Sequence, residues 1–304
     1  MYNPERKAAY MEGIAKSVKT RELCEDTFNL AEKYETGWGA DLCTRSAEDL
    51  TPLANELLSL RSVGRTRRYE VLVRYIKWCV STGVPGAIDE TDKIELDEVA
   101  AVKKRLVSGP IHLQKRLDSF LLKEELETID NLTRCYYWFA FSGVPKKKIP
   151  GLTKKNIDLK MQRIVCDNKS YEIYRQSLPA LLNCMYLEEF TQIRSNYTNR
   201  MPRREGKELL RAIRASCNEG YFVAESKQKQ AEAGISGKGN LLCFRDVEYS
   251  GMFYRMYELE VAGIPPDFRA IYEERYKPTT TSISTAAKKV SEDYYLWKAA
   301  FYKN

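Results

Sequence analysis

The sequence predicts a mainly α-helical protein in two domains, the second carrying a small β-hairpin sheet. Three observations lead there. Apolar residues recur at spacings of three and four through much of the 304 residues, as at Tyr69, Leu72, Val73, Ile76 and Val80. One stretch, IVCDNKSYEIYRQSL (164–178), instead alternates around a turn at Asp167-Asn168-Lys169 and suits a hairpin. Ser108-Gly109-Pro110 interrupts the helical pattern, opens an expected linker over 108–118, and separates a domain of residues 1–112 from one of residues 113–304.

Three helical segments are expected within 5–58. Ala9, Ile14 and Val18 mark the first, and Cys24, Phe28 and Leu30 the second, which Thr20 would cap. Ser46 with Asp49 makes an N-cap signal before Leu50, Leu53, Leu57 and Leu58. The strongest helix of this half is 66–81, followed by another over 91–107. In the second half a helix runs to Phe141. Short strands follow at 156–159, 163–166 and 170–175, then a helix over 178–190. RMPRREGKELLRAIR (200–214) reads as an amphipathic helix with Pro202 near its start. Residues 225–240 are polar and read as a loop. Residues 246–263 form an aromatic helix that Gly263-Ile264-Pro265-Pro266 stops, 279–284 a polar linker, and 286–302 a last helix.

Composition narrows the function. Hydrophobic residues at 43% are enough for two packed cores and argue against disorder. No apolar run reaches the roughly 18 residues that a membrane span needs, and the charged N-terminus lacks a signal-peptide core, so no membrane partner and a cytoplasmic location are expected. The eight cysteines are scattered without a CxxC pair, and His112 is the only histidine. Reduced core thiols are expected, and no metal or other cofactor.

Charge is the strongest pointer to a partner. The net charge is +7, but residues 1–112 hold 17 basic against 18 acidic side chains, whereas residues 141–215 hold 16 against 7. Concentrated positive charge favours a polyanion, most often nucleic acid. Arg65, Arg67 and Arg68 crowd a helix start, where the dipole favours negative charge, so phosphate contact offers a reason for them. Lys146, Lys147 and Lys148 follow the aromatic run Tyr136–Phe141, and Lys154 and Lys155 follow them. Arg204, Lys207, Arg211 and Arg214 would share one face of the expected 200–214 helix, with Arg200 and Arg203 adding to the field. Lys169 at the hairpin, Lys238 in a GKG turn and Arg245 complete the phosphate-binding set. Ser195, Asn196 and Asn199 are candidates for reading bases. An ordinary solvated surface is the competing reading of each cluster.

The layout resembles the tyrosine recombinases of the phage integrase family. Residues 120–126 resemble that family's L-T-x-x-E opening, and SGVPKKKIPGLTKKNID (142–158) its T-G-x-R-x-x-E-L-x-x-L-x-x-x-D-I motif. The hairpin through Lys169 resembles the strand pair carrying a catalytic lysine, and YSGMFYRMYELEVAG (249–263) resembles H-D-L-R-H-T-x-A-x-x-L-x-x-x-G. The resemblance implies a tyrosine-recombinase-like two-domain architecture: a SAM-like helical core-binding domain followed by an integrase-type C-terminal domain, which together clamp double-stranded DNA.

The departures fall on the catalytic set. The family's first arginine falls on Pro145 and its acidic neighbour on Lys148. Its histidine falls on Tyr249 and its second arginine on Met252. Tyr294 or Tyr295 could occupy the nucleophile's place, and Arg245 could stand as a displaced arginine. Strand cleavage builds negative charge on phosphorus, and losing one electrostatic stabiliser typically costs on the order of 100-fold. The expectation is therefore a non-enzyme, with no catalytic residues; what the resemblance then implies is a DNA-binding protein that occupies operators as a transcriptional repressor and maintains prophage lysogeny. A phage-encoded regulatory protein would be a further partner. A divergent active integrase and a module for an acidic protein partner are the alternatives.

Overall fold

The computed structural model describes residues 1–14, 17–59, 67–194, 197–203, 205–211, 219–235, 242–275 and 283–302. The chain forms two compact units, Met1–Lys104 with Lys288–Asn304, and Arg105–Ala287. The sequence pattern puts the division at 112/113; the units divide at 104/105, and the last segment belongs to the first unit.

In the first unit, α1 (Pro4–Ile14), α2 (Val18–Trp38), α3 (Ala47–Ser59) and α4 (Arg67–Ser81) surround one core. Ser17 Oγ accepts the Thr20 N–H at 3.2 Å and starts α2, and Gly39, at φ 63°, ends it. Ser46 Oγ accepts the Asp49 N–H at 3.3 Å, as the capping signal predicts. Tyr10, Phe28 and Tyr75 meet edge to face, with centroids 5.0–5.9 Å apart. The fully buried Lys7 is tolerated because its ammonium pairs with the equally buried Glu35. The segment expected as one helix over 91–107 is a short turn at Thr91–Lys93 and then α5 (Glu98–Arg105).

The second unit is built around α7 (Asp130–Ser142). All thirteen of its residues are buried, the polar Asp130, Asn131, Thr133, Arg134 and Ser142 among them. Its one arginine, Arg134, survives burial because its guanidinium donates to Asp118 at 2.7 Å and to the Leu121 and Leu122 carbonyls. Preceding it is α6 (Pro110–Asp118), in the stretch expected as a linker. Pro110 sits at its first turn, where the missing N–H costs nothing, and Leu113 and Leu117 anchor it in the core.

After α7 come β1 (Ile157–Asp158), β2 (Arg163–Cys166) and β3 (Lys169–Glu172), antiparallel in the order β1-β2-β3. Asp167 and Asn168 turn the hairpin at φ 50° and 60°, a geometry that these residue types tolerate. Next are α8 (Leu178–Tyr186) and a second hairpin, β4 (Glu189–Arg194) with β5 (Tyr197–Pro202). This hairpin corrects the expected 200–214 helix: Arg200 to Pro202 are strand, and residues 205–211 run in bends and turns. The run KELLR alone has helical spacing, but Leu209 and Leu210 are buried by a chain that pairs its Leu209 N–H with the Leu152 carbonyl at 2.7 Å. The expected 225–240 loop is also corrected, since α9 (Glu219–Glu232) covers its first half and buries Phe222, Ser226 and Gln230.

The chain then forms α10 (Phe244–Val261), α11 (Phe268–Arg275) and α12 (Ile283–Phe301). Where α10 crosses α7, Gly251 lies against the Phe141 backbone, and a Cβ there would stand 2.6 Å from its carbonyl carbon. Among the described residues no helix is long and apolar enough to cross a membrane, the described cysteines are free, and no side-chain group could hold a metal ion.

Candidate nucleic-acid interface

Among the described residues, the exposed members of the expected phosphate-binding set lie on the second unit, several of them next to the close crossing of α7 and α10. Gly143, at φ 93°, caps α7, and the chain leaves it through Val144 and Pro145 to the three lysines. Val144 and Ile149 are buried and pin both ends of this loop, while Pro145, Lys147 and Lys148 are exposed. Lys146 Nζ stands 5.1 Å from the Phe244 ring centroid at the start of α10. The next residue, the exposed Arg245, lies 5.6 Å over the Tyr249 ring. The loop and the α10 N-terminus therefore bring Lys146 and Arg245 to one place, where the helix dipole also favours an anion.

A second contact joins the loop to the β2–β3 hairpin. Lys148 Nζ pairs with Asp167 at 2.9 Å, and the hydrogen-bonded carboxylate raises the lysine's pKa. Lys169, two residues beyond Asp167 and exposed, opens β3. Ser142 Oγ donates to the Glu172 carbonyl at 2.7 Å and fixes β3 to the end of α7. The 145–148 loop thus reaches the start of α10 through Lys146 and the β2–β3 hairpin through Lys148. Lys154 and Lys155 follow on the adjoining short helical turn, with Lys154 5.3 Å over the exposed Tyr186 ring. Thr153 bridges to Glu208, which brings the exposed Lys207 into the same neighbourhood.

Beneath Arg245, Asp246 is buried and paired with Arg105. Burial pushes its carboxyl pKa up, against the pull of Arg105, Arg245 and Arg116. Burial likewise lowers His112, with Arg116 and Lys115 adding to the effect.

Three of the expected phosphate ligands serve the fold. Arg203 is 6% exposed, and its guanidinium donates to the Cys184, Leu187 and Leu209 carbonyls. Arg211 is also buried and donates to Glu188 at 3.0 Å. Arg68 ties α4 to α2 through Asp26 at 2.9 Å and is mostly covered. The sequence pattern puts Arg211 on a helical face that does not form, with Arg203 adding to its field. Charge density along the sequence cannot distinguish a guanidinium that neutralises backbone carbonyls from one that meets solvent. Arg200 is exposed on β5 opposite Thr191, with Asn199 beside it. Arg65, Arg204, Arg214, Lys238, Ser195 and Asn196 lie outside the described residues, as does the side chain of Arg67.

The positions that the resemblance aligns with catalytic groups are now placed. Pro145 is exposed, whereas Tyr249 and Met252 are 6% exposed on α10. Tyr294 is fully buried and stacks on Trp297 at 6.1 Å, while the Tyr295 ring is half-exposed. Sequence reasoning missed Arg255, within α10, which donates to the Phe141 carbonyl and locks the crossing that positions the loop.

No family model matches the chain, and no curated protein matches it. Among solved structures it is similar to the Tn1549 transposon integrase (residues 82–397) in complex with circular intermediate DNA. The identity is 12%, the match covers 93% of this chain and 97% of that one, and the TM-score is 0.35.

Proposed function

We propose that this chain is a tyrosine-recombinase-like protein that binds double-stranded DNA and does not cut it. In this reading it is a sequence-specific repressor that maintains phage lysogeny by occupying operators. One observation carries the proposal: the loop at 145–148 sets Lys146 against the α10 N-terminus, where Arg245 stands exposed, with a proline where the resemblance expects the catalytic arginine. Lysines supply charge to phosphates, but Pro145 and Met252 have no donor for a developing oxyanion. The burial of Tyr249 further supports the reading, since a general acid must reach the leaving oxygen.

The experiment is a titration of labelled genomic fragments at several salt concentrations, followed by footprinting. The proposal expects affinity to fall steeply with salt and one or a few discrete sites to be protected. Equal binding to random and selected DNA would replace the repressor with an architectural role.

A further inference from the structure

On the second unit, away from the lysine loop in sequence, is a cavity of about 910 Å³. Its walls are the segment from Asp118 to Leu122, the start of α7, the outer edge of β4 and one face of α9. Its charge is opposite to that of the interface described above. Among the described residues, Asp118, Asp130, Glu225 and Glu232 line it against Lys229 and the Arg134 that pairs with Asp118, so four carboxylates meet two cations. Such a site repels phosphate and draws a cation.

Two buried polar atoms in its wall lack hydrogen-bond partners. Thr128 and Asp130 are each 1% exposed, and neither Thr128 Oγ1 nor Asp130 Oδ1 is hydrogen-bonded. The other Asp130 oxygen accepts the Leu122 N–H at 2.8 Å, while Lys229 stands 3.5 Å from Oδ1, beyond good hydrogen-bond range. Buried groups of this kind normally have partners, and both residues stand in the cavity wall.

The strand edge supplies a third observation. Thr191 donates its N–H away from β5, to the Glu127 carbonyl at 3.0 Å, and Thr128 forms a one-residue parallel bridge with it. The partnering segment leaves at once: Glu127 is left-handed at φ 52°, and α7 begins at Asp130. Alternation along a strand puts the Ile193 N–H and carbonyl on the same outer edge as those of Thr191. Among the described residues no backbone group pairs with them there. Ile193 lines the cavity beside Ile129 and Leu122.

We propose that this cavity docks an extended basic peptide of a partner protein, which adds as a strand to the outer edge of β4. A lysine or arginine of that peptide meets Glu232, and its apolar neighbours meet Ile129 and Ile193. Backbone pairing supplies affinity and the alternating side chains supply specificity, as in other cases of strand addition. Such docking would operate whether or not the chain binds DNA.

The test is selection of a displayed random heptapeptide library on the full chain, followed by anisotropy with the enriched peptides. The expected peptides alternate apolar and basic residues. Ile193→Pro removes an N–H that β5 does not use and should weaken them at least tenfold. Glu232→Lys should do the same through charge and keeps the test open if the proline variant fails to fold. Both variants should bind DNA as the parent does. The proposal is overturned if no peptide is enriched, if the enriched peptides lack basic residues, or if both variants bind them unchanged. A dimer of the chain that Glu232→Lys dissolves would also overturn it, making a second copy the occupant.

Discussion

Replacing Gly251 with alanine tests whether the close crossing of α7 and α10 organises the second unit. The added Cβ would lie 2.6 Å from the carbonyl carbon and 2.8 Å from the Cα of Phe141, and closer still to its carbonyl oxygen. Backbone atoms cannot rotate aside, so the helices must separate by roughly 1 Å, and overpacking of this kind costs about 1–3 kcal/mol. The same carbonyl accepts from Arg255, and weakening that bond adds about 1 kcal/mol. Alanine's better helix propensity returns about 1 kcal/mol. The net expectation is about 2 kcal/mol of destabilisation, which lowers the melting temperature of a unit this size by roughly 4–8 °C. Calorimetry measures the shift, and hydrogen exchange of α7 amides assigns it to this unit. DNA binding should weaken in parallel, because Lys146 reaches Phe244 only across this crossing. A melting temperature within about 1 °C of the parent would refute the packing argument.

Lys147, Lys154 and Lys155 are exposed, and replacing all three by alanine should flatten the dependence of log affinity on log salt by about 0.9 for each phosphate no longer neutralised. An unchanged slope would remove these lysines from the interface. Arg203→Met leaves the Cys184, Leu187 and Leu209 carbonyls without their donor, and a loss of about 3 kcal/mol or more in urea unfolding is expected. At low temperature, where the variant stays folded, its salt slope should match the parent's. In the first unit, burial alone would raise the Asp41 carboxyl. The Asn3 amide, the Cys43 N–H and the Tyr75 hydroxyl outweigh burial, and the net shift is downward. Asp41 therefore contributes stability that is present above the ordinary carboxylate value of about 4 and is lost as pH falls through the lowered one. Asp41→Asn should lower stability at neutral pH and flatten its decline below about pH 4, as followed by urea unfolding at several pH values.

The fold is legible wherever local chemistry decides it. The Ser46 cap, the Gly143 and Gly263 stops, the aromatic run of α7 and the Asp167-Asn168 turn each act within a few residues, and these elements fall where those signals put them, whereas Ser17 and not the expected Thr20 caps α2. The illegible stretches are those where tertiary contacts override the pattern. Pro110 reads as a breaker, yet it opens α6 because Leu113 and Leu117 have a core to enter. Arg200–Pro202 read as helix, yet they pair with Glu189, Phe190 and Thr191 across the sheet. The polar face of α9 resembles a loop because, among its described side chains, the buried ones are the well-spaced Phe222, Ser226 and Gln230.

The candidate interface is legible in part for the same reason. Lys146 to Lys148 stand out because they are consecutive, and Lys169 because a tight hairpin exposes it. The pairing of Lys146 with the start of α10 spans about a hundred residues of sequence, and no local signal announces it. Neither can sequence separate solvent-exposed arginines from Arg203 and Arg211, whose partners include backbone carbonyls and a distant carboxylate.

The central claim is that the protein grips duplex DNA without breaking it. The most direct measurement is incubation with its protected DNA site, intact and as a nicked suicide substrate, resolved on native and denaturing gels side by side. The account predicts a retarded complex on the native gel and no covalent protein–DNA species on the denaturing one. A denaturant-resistant adduct that Tyr295→Phe abolishes would contradict it and make the protein a recombinase.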